Sequence, residues 1–185
     1  IGDAAERLAA LTGQNAFVRR LPDGVTYRFH HMMKECALRV FLTLPQERRN
    51  DCRRRFGAWY EQHRQYLHAM HAYYQSGDYH ALLRVVQQDA GILLSSLDPK
   101  NVLDFLDECP VDTLKAHPAA LLVLMRSMFN WRNIPRMQAL RQLLLTAIDE
   151  DPQRSAEERG NLLGECDLIM SFLCYNDISA MSRLH

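Results

Sequence analysis

Two hydrophobic periods meet in this chain, and they meet at a pair of histidines. In Val25-Thr26-Tyr27-Arg28-Phe29 the apolar side chains alternate, so Val25, Tyr27 and Phe29 share one face of a strand. From His31 they recur at helical spacing instead: Met33, Leu38, Val40, Phe41 and Leu44, up to Pro45. Ahead of the junction, Ala16–Leu21 is strand-like and Pro22-Asp23-Gly24 supplies a turn, Asp-Gly being a frequent hairpin dipeptide. Asp3–Leu11 predicts a short helix, with Leu8, Leu11 and several alanines on one side, ended by Thr12-Gly13.

Beyond position 45 the pattern predicts helix after helix. Pro45–Gln62 has its proline in the first turn and Phe56, Trp59 and Tyr60 as apolar anchors. Gln65–Gln75 is closed by Ser76-Gly77, and Asp78 is a good N-cap for Tyr79–Leu94. Asp98-Pro99 opens Pro99–Glu108, and Pro110–His117 reads as a short helical turn. Pro118–Asn130 is strongly apolar, and Ile134-Pro135 starts a helix to Asp149. Ser155-Ala156-Glu157-Glu158 is a capping box opening a helix to about Cys174, and Ile178–His185 begins the last one. Pro45, Pro99, Pro118, Pro135 and, loosely, Pro152 fall at helix boundaries, and no proline has to sit inside a helix.

Three of the turns between helices resemble one another. Asn130-Trp131-Arg132-Asn133-Ile134 and Cys174-Tyr175-Asn176-Asp177-Ile178 each set an aromatic before a polar turn and an isoleucine, 44 residues apart. Tyr74-Gln75-Ser76-Gly77-Asp78-Tyr79 is similar but out of step with that spacing. Tetratricopeptide repeats have this character, and Ala147 followed by Pro152 adds their usual ending, although the spacing exceeds their norm of about 34 residues. The predicted fold is therefore mainly α: a right-handed superhelix of antiparallel TPR-like helix pairs, preceded by a small N-terminal β-hairpin.

Composition narrows the function. With 185 residues, 48% of them apolar, the chain can bury a sizeable core. Its 22 basic and 22 acidic residues balance, so no overall field recruits nucleic acid or an anionic membrane. The longest apolar stretch, about Ala119–Met125, is too short for a membrane span or a signal-peptide core. The cysteines Cys36, Cys52, Cys109, Cys166 and Cys174 are odd in number and irregular in spacing, which predicts reduced thiols in the cytoplasm rather than disulfides or zinc. The first residue is Ile1 and the last, His185, falls within a helical pattern, so the sequence reads as a piece of a larger protein.

Tyr27-Arg28-Phe29-His30-His31 running into a helix, then Ala58-Trp59-Tyr60-Glu61-Gln62-His63, then Tyr66 to Ser76-Gly77-Asp78-Tyr79, resembles the middle of the MalT-type, LuxR-family ATP-dependent transcriptional regulators of bacteria. The resemblance runs from about Asn15 to the end. It implies that residues 1–44 are the C-terminal part of a winged helix and 45–185 a helical arm with the first TPR-like repeats. It implies partners within the same polypeptide: an ATPase domain using ATP and ADP, and inducer-sensing repeats that take a small-molecule inducer or a protein inhibitor. DNA would be met only through a separate C-terminal domain. Relatives use a histidine at the end of the winged helix to contact the β-phosphate of ADP, and Phe29-His30-His31 puts His30 in that place. His31 stands where the family has an acidic residue, so that position's role does not carry over.

Other candidates read more plainly. His30 by itself is a packed or solvated histidine, and only the resemblance makes it a cofactor-binding residue. Arg48, Arg49, Arg53, Arg54 and Arg55 read as a solvated helix face, diluted by Glu47, Asp51 and Glu61, rather than a nucleic-acid patch. His68 and His71 share a helix face with His63 and His80 nearby in sequence, but nothing completes a metal set at ligand spacing. Tyr66, Tyr73, Tyr74, Tyr79, Trp131 and Tyr175 are expected as wedges between helices. No G-x-x-x-x-G-K-[ST] occurs, and no catalytic elbow, so the expectation for this chain is no catalysis, no catalytic residue and no metal. A free-standing TPR-like scaffold binding a protein or peptide is the alternative reading.

Overall fold

The computed structural model of the chain describes residues 4–14, 17–24, 26–89, 94 and 97–174. Among them it is mainly helical, with ten α-helices and one two-stranded antiparallel sheet. It divides into two compact units, Ile1–Arg49 and Asn50–His185, with the division inside the third helix.

The first unit holds α1 (Ala4–Gly13), β1 (Val18–Arg20), β2 (Tyr27–Phe29) and α2 (His31–Thr43). The strands are shorter than their alternation predicted. The turn between them uses Pro22 and Asp23 at its centre: the Gly24 N–H donates to the Leu21 carbonyl at 3.0 Å, and Gly24 takes φ 71°. Asp23 Oδ1 then accepts from the Thr26 N–H at 2.9 Å. Register pairs Val18 with Phe29, Arg19 with Arg28 and Arg20 with Tyr27. Val18 is buried and packs in the strand that α1 contacts. α2 buries no residue, and Met32, Leu38, Val40 and Leu42 are each more than half exposed (52–63%).

The second unit begins within α3 (Gln46–Gln62) and continues through α4 (Tyr66–Ser76), α5 (Tyr79–Asp89), α6 (Pro99–Glu108), α7 (Val111–Lys115), α8 (Pro118–Asn130), α9 (Ile134–Asp149) and α10 (Ala156–Ser171), with a 3₁₀ turn Phe172–Cys174. α5 is described from Tyr79 to Asp89, and residues 90–93 of the expected helix to Leu94 lie outside the described residues. The expected helix Ile178–His185 and its Tyr175 turn lie outside the described residues. α8 is the centre: Ala120 to Met125, Ser127 and Met128 are all buried. α9, α5, α7 and α10 pack against it. The aromatic wedges are in place, with Tyr73 buried and Tyr66, Tyr74, Tyr79 and Trp131 half-buried against the same core.

Three helix ends share one geometry. After α4, the Asp78 N–H donates to the Tyr73 carbonyl and the Gly77 N–H to the Tyr74 carbonyl, both at 3.0 Å, with Gly77 at φ 71°. After α8, Asn133 donates to Met128 at 2.8 Å and Arg132 to Phe129 at 2.9 Å, with Arg132 at φ 57°. After α3, Gln65 donates to Tyr60 at 2.8 Å and Arg64 to Glu61 at 3.0 Å, with Arg64 at φ 56°. Each is a Schellman closure, which needs one residue in the left-handed region. Asp78 and Asn133 each then accept a hydrogen bond from the new helix, from the Ala81 and Arg136 N–H groups.

Glycine meets that left-handed requirement without strain, whereas arginine carries a steric cost. Arg132→Gly should therefore raise stability by about 0.5–1 kcal/mol, read as a higher urea midpoint with unchanged slope. Gly57 has the opposite sign. A Cβ there would lie 2.6 Å from the Tyr73 ring, where α3 meets α4. Gly→Ala inside a helix ordinarily gains about 1 kcal/mol. Gly57→Ala should instead cost about 1–3 kcal/mol, seen as a lower thermal midpoint.

Candidate functional site

The hairpin delivers its charges to the start of α2. Arg19 and Arg28 face each other across the ladder, and both are exposed. Like charges directly opposite on a two-stranded ladder destabilise it, and neither arginine has an acidic partner among the described residues. The His30 N–H donates to the Phe17 carbonyl at 2.8 Å, extending the ladder to the junction itself. His30 then caps α2: its Nδ1 accepts from the Met32 N–H at a long 3.4 Å. The His31 ring lies against it, centroids 4.2 Å apart, and the Phe17 ring centroid is 5.8 Å from it.

A cleft of about 550 Å³ opens here, lined by Phe17 and Val18 and by the basic groups Arg19, Arg28, His30 and His31. Helix N-termini favour carboxylates in their first turn, because the unpaired N–H groups and the dipole present positive charge. α2 has none there and carries Lys34 instead. The junction thus concentrates donors and positive charge, with no acidic residue in the first turn of α2 and no ion pair to Arg19 or Arg28 among the described residues. Chemically it can receive a phosphate or carboxylate. His30 lies where the sequence put it; Arg19 and Arg28 were missed, because their meeting depends on the strand register rather than on either residue's own context.

The second unit's polar groups serve packing. Glu61 joins three helices: it accepts from the Tyr73 hydroxyl at 2.7 Å and from Arg84 Nε and Nη2 at 3.0 and 2.9 Å. Arg84 and, more weakly, Tyr73 hold its carboxyl below the ordinary carboxylate range against the effect of burial. Burial and then Glu61 push the Tyr73 hydroxyl up to about 12. Arg53 Nη1 donates to the Gln75 carbonyl at 3.0 Å, capping the end of α4, and Arg55 pairs with Asp51 at the surface.

The histidines disperse. His63 stacks on Trp59, His68 stacks on Tyr60, and His71 bonds to Gln75. His80 meets His117, at the start of α8, with Nδ1 and Nε2 3.1 Å apart. Among the described residues no three histidine, cysteine, aspartate or glutamate side chains gather to hold a metal. Burial pushes the Cys109 thiol up to about 11, and no described helix is long and apolar enough to cross a membrane. Comparison with protein-family models, with curated proteins and with solved structures returned no match.

Acid should weaken the second unit in two stages. Burial, then the nearby His80 and Arg84, hold His117 below its ordinary value of 6.5. The unfolded chain then binds that proton more readily, so stability is complete above about 6.5 and falls as pH drops toward the folded value. Glu61 contributes above its unfolded value near 4.5, and that contribution is lost as pH falls through its lowered folded value. Urea midpoints measured from pH 8 to pH 3 should decline in this order, and His117→Gln should flatten the first stage while leaving the second.

Proposed function

We propose that the chain is the regulatory and interaction region of a MalT-like, LuxR-family transcriptional regulator, and that the hairpin–helix junction senses nucleotide phosphate. The observation that carries this is the uncompensated cluster of Arg19, Arg28, His30 and His31 at the N-terminus of α2. An ADP phosphate held by an ATPase domain elsewhere in the protein would accept from the His30 ring and relieve the Arg19–Arg28 repulsion. Residues 1–44 are then the C-terminal part of a winged helix, and 45–185 a helical arm and TPR-like repeats in a right-handed superhelix. Closed and open states would be set by nucleotide at one end and by inducer or protein inhibitor at the other. The chain itself catalyses nothing in this reading, and it works in the bacterial cytoplasm, reaching DNA only through a C-terminal domain.

The recurrence of one Schellman geometry after α3, α4 and α8 favours a second reading, a free-standing TPR-like scaffold for a protein or peptide. The two differ in their neighbours. A Walker A motif upstream and a helix-turn-helix downstream in the same gene support the first, and a start codon just before Ile1 supports the second.

Without a P-loop, the 185-residue chain should give no saturable thermal shift with ADP. In the full-length regulator, His30→Ala should weaken ADP retention about ten- to a hundredfold, the range for a hydrogen bond to a charged group. Unchanged ADP dissociation from that variant would sink the nucleotide-sensor reading, and a saturable shift by the chain alone would sink the expectation that nucleotide is held only with the ATPase domain.

A further inference from the structure

We infer that His80 and His117 form a two-histidine site for a divalent ion of the zinc class, bridging α5 to the start of α8. His80 Nδ1 and His117 Nε2 lie 3.1 Å apart, although the residues are 37 positions apart in the chain. At the usual Zn–N distance of about 2.0–2.1 Å, nitrogens with that separation subtend roughly 100° at a shared ion. That is close to the tetrahedral angle of zinc sites. The rings meet nitrogen to nitrogen through one hydrogen, with centroids 5.3 Å apart and planes at 55°. His80 is exposed, so its ring can turn until both lone pairs converge on one point beside the present contact. The bridging hydrogen then moves to the far nitrogen of its own ring, and no proton is lost.

Charge around the pair leaves room for a cation. Arg84, one turn along α5 from His80, is held by Glu61 at 3.0 and 2.9 Å. Lys115, on α7 just before His117, is held by Glu150 at 2.7 Å. Among the described histidines of the second unit, the others are engaged differently: His63 bonds to the Trp59 carbonyl, His71 to Gln75, and His68 stacks on Tyr60. Only two protein ligands meet here, so water fills the rest of the shell. Imidazole suits zinc, copper or nickel, whereas magnesium and calcium take oxygen ligands. A bound ion would tie α5 to α8 by coordinate bonds in addition to apolar packing. The site goes beyond the nucleotide reading of the first unit, and its failure leaves that reading untouched.

The test is an NMR titration of the ¹⁵N-labelled chain with zinc chloride at pH 7.5, a unit above the ordinary imidazole value of about 6.5. Every sample carries Cys36→Ser, because that thiol is exposed. Zinc should shift the amides of His80, His117 and their neighbours saturably at one ion per chain, and magnesium chloride should leave them in place. His80→Gln, at an exposed position, should weaken zinc binding at least about tenfold, the low end for losing even an outer-shell partner of a ligand. His117→Gln should do the same; should that variant unfold, His80→Gln still decides. Unchanged zinc affinity in His80→Gln, or no saturable shift around residues 80 and 117, overturns the proposal. So does an equal response to magnesium, which would mark a general charge effect. Zinc-dependent doubling of the mass in sedimentation would place the ion between two copies of the chain and overturn it as well.

Discussion

α8 is buried over most of its surface, and the second unit depends on covering it. Eight of its thirteen residues, from Pro118 to Asn130, are buried, and Arg126 and Asn130 are left exposed. Such a helix is stable only when surrounded. Each large side chain removed from water contributes about 1.5–3 kcal/mol, and the surrounding is done by α5, α7, α9 and α10. The amphipathic helices beside it each offer one stripe: α5 contributes Leu82, Leu83, Val85 and Val86, and α9 contributes Met137, Leu140, Leu144 and Ile148. What arranges these stripes around α8 is the set of tight turns. The Schellman closures after α4 and α8 reverse the chain in a few residues and place α5 on α4 and α9 on α8.

Farther from α8, polar bonds take over from apolar burial. α3 contributes little to the core, and its one buried residue is Gly57. It is held instead by the close approach of Gly57 to the Tyr73 ring and by Glu61, which ties α3 to α4 and α5. These two contacts are coupled. The missing Cβ at position 57 lets the Tyr73 ring lie against the α3 backbone, and from there its hydroxyl reaches Glu61 one turn later.

Helix boundaries were legible wherever the chemistry of a cap is written in one residue. Asp98-Pro99, Pro118, Asp78 and the Ser155–Glu158 capping box stand where expected, because a missing N–H or a short accepting side chain acts locally. The closures at Arg64 and Arg132 were not legible, since arginine enters the left-handed region only when the packing of two helices imposes it. The same limit applied to the sites. The place of His30 between strand and helix was legible, whereas a role for it came only from the resemblance. The Arg19–Arg28 meeting needed the hairpin register, and the Glu61 and His80–His117 contacts join residues 12 to 37 positions apart.

Two places in this chain set like charges side by side next to open space. Arg19 and Arg28 oppose each other beside a helix start that lacks any acidic residue, and Asp104 and Glu108 repeat a negative charge on one face of α6. Both arrangements raise the free energy of the chain alone, and both adjoin a cavity. Several charges elsewhere are matched, among them Arg84 with Glu61, Lys115 with Glu150 and Arg136 with Asp107. Local violations beside open space, in a chain otherwise consistent from propensity to packing, are where function is expected to have overridden stability.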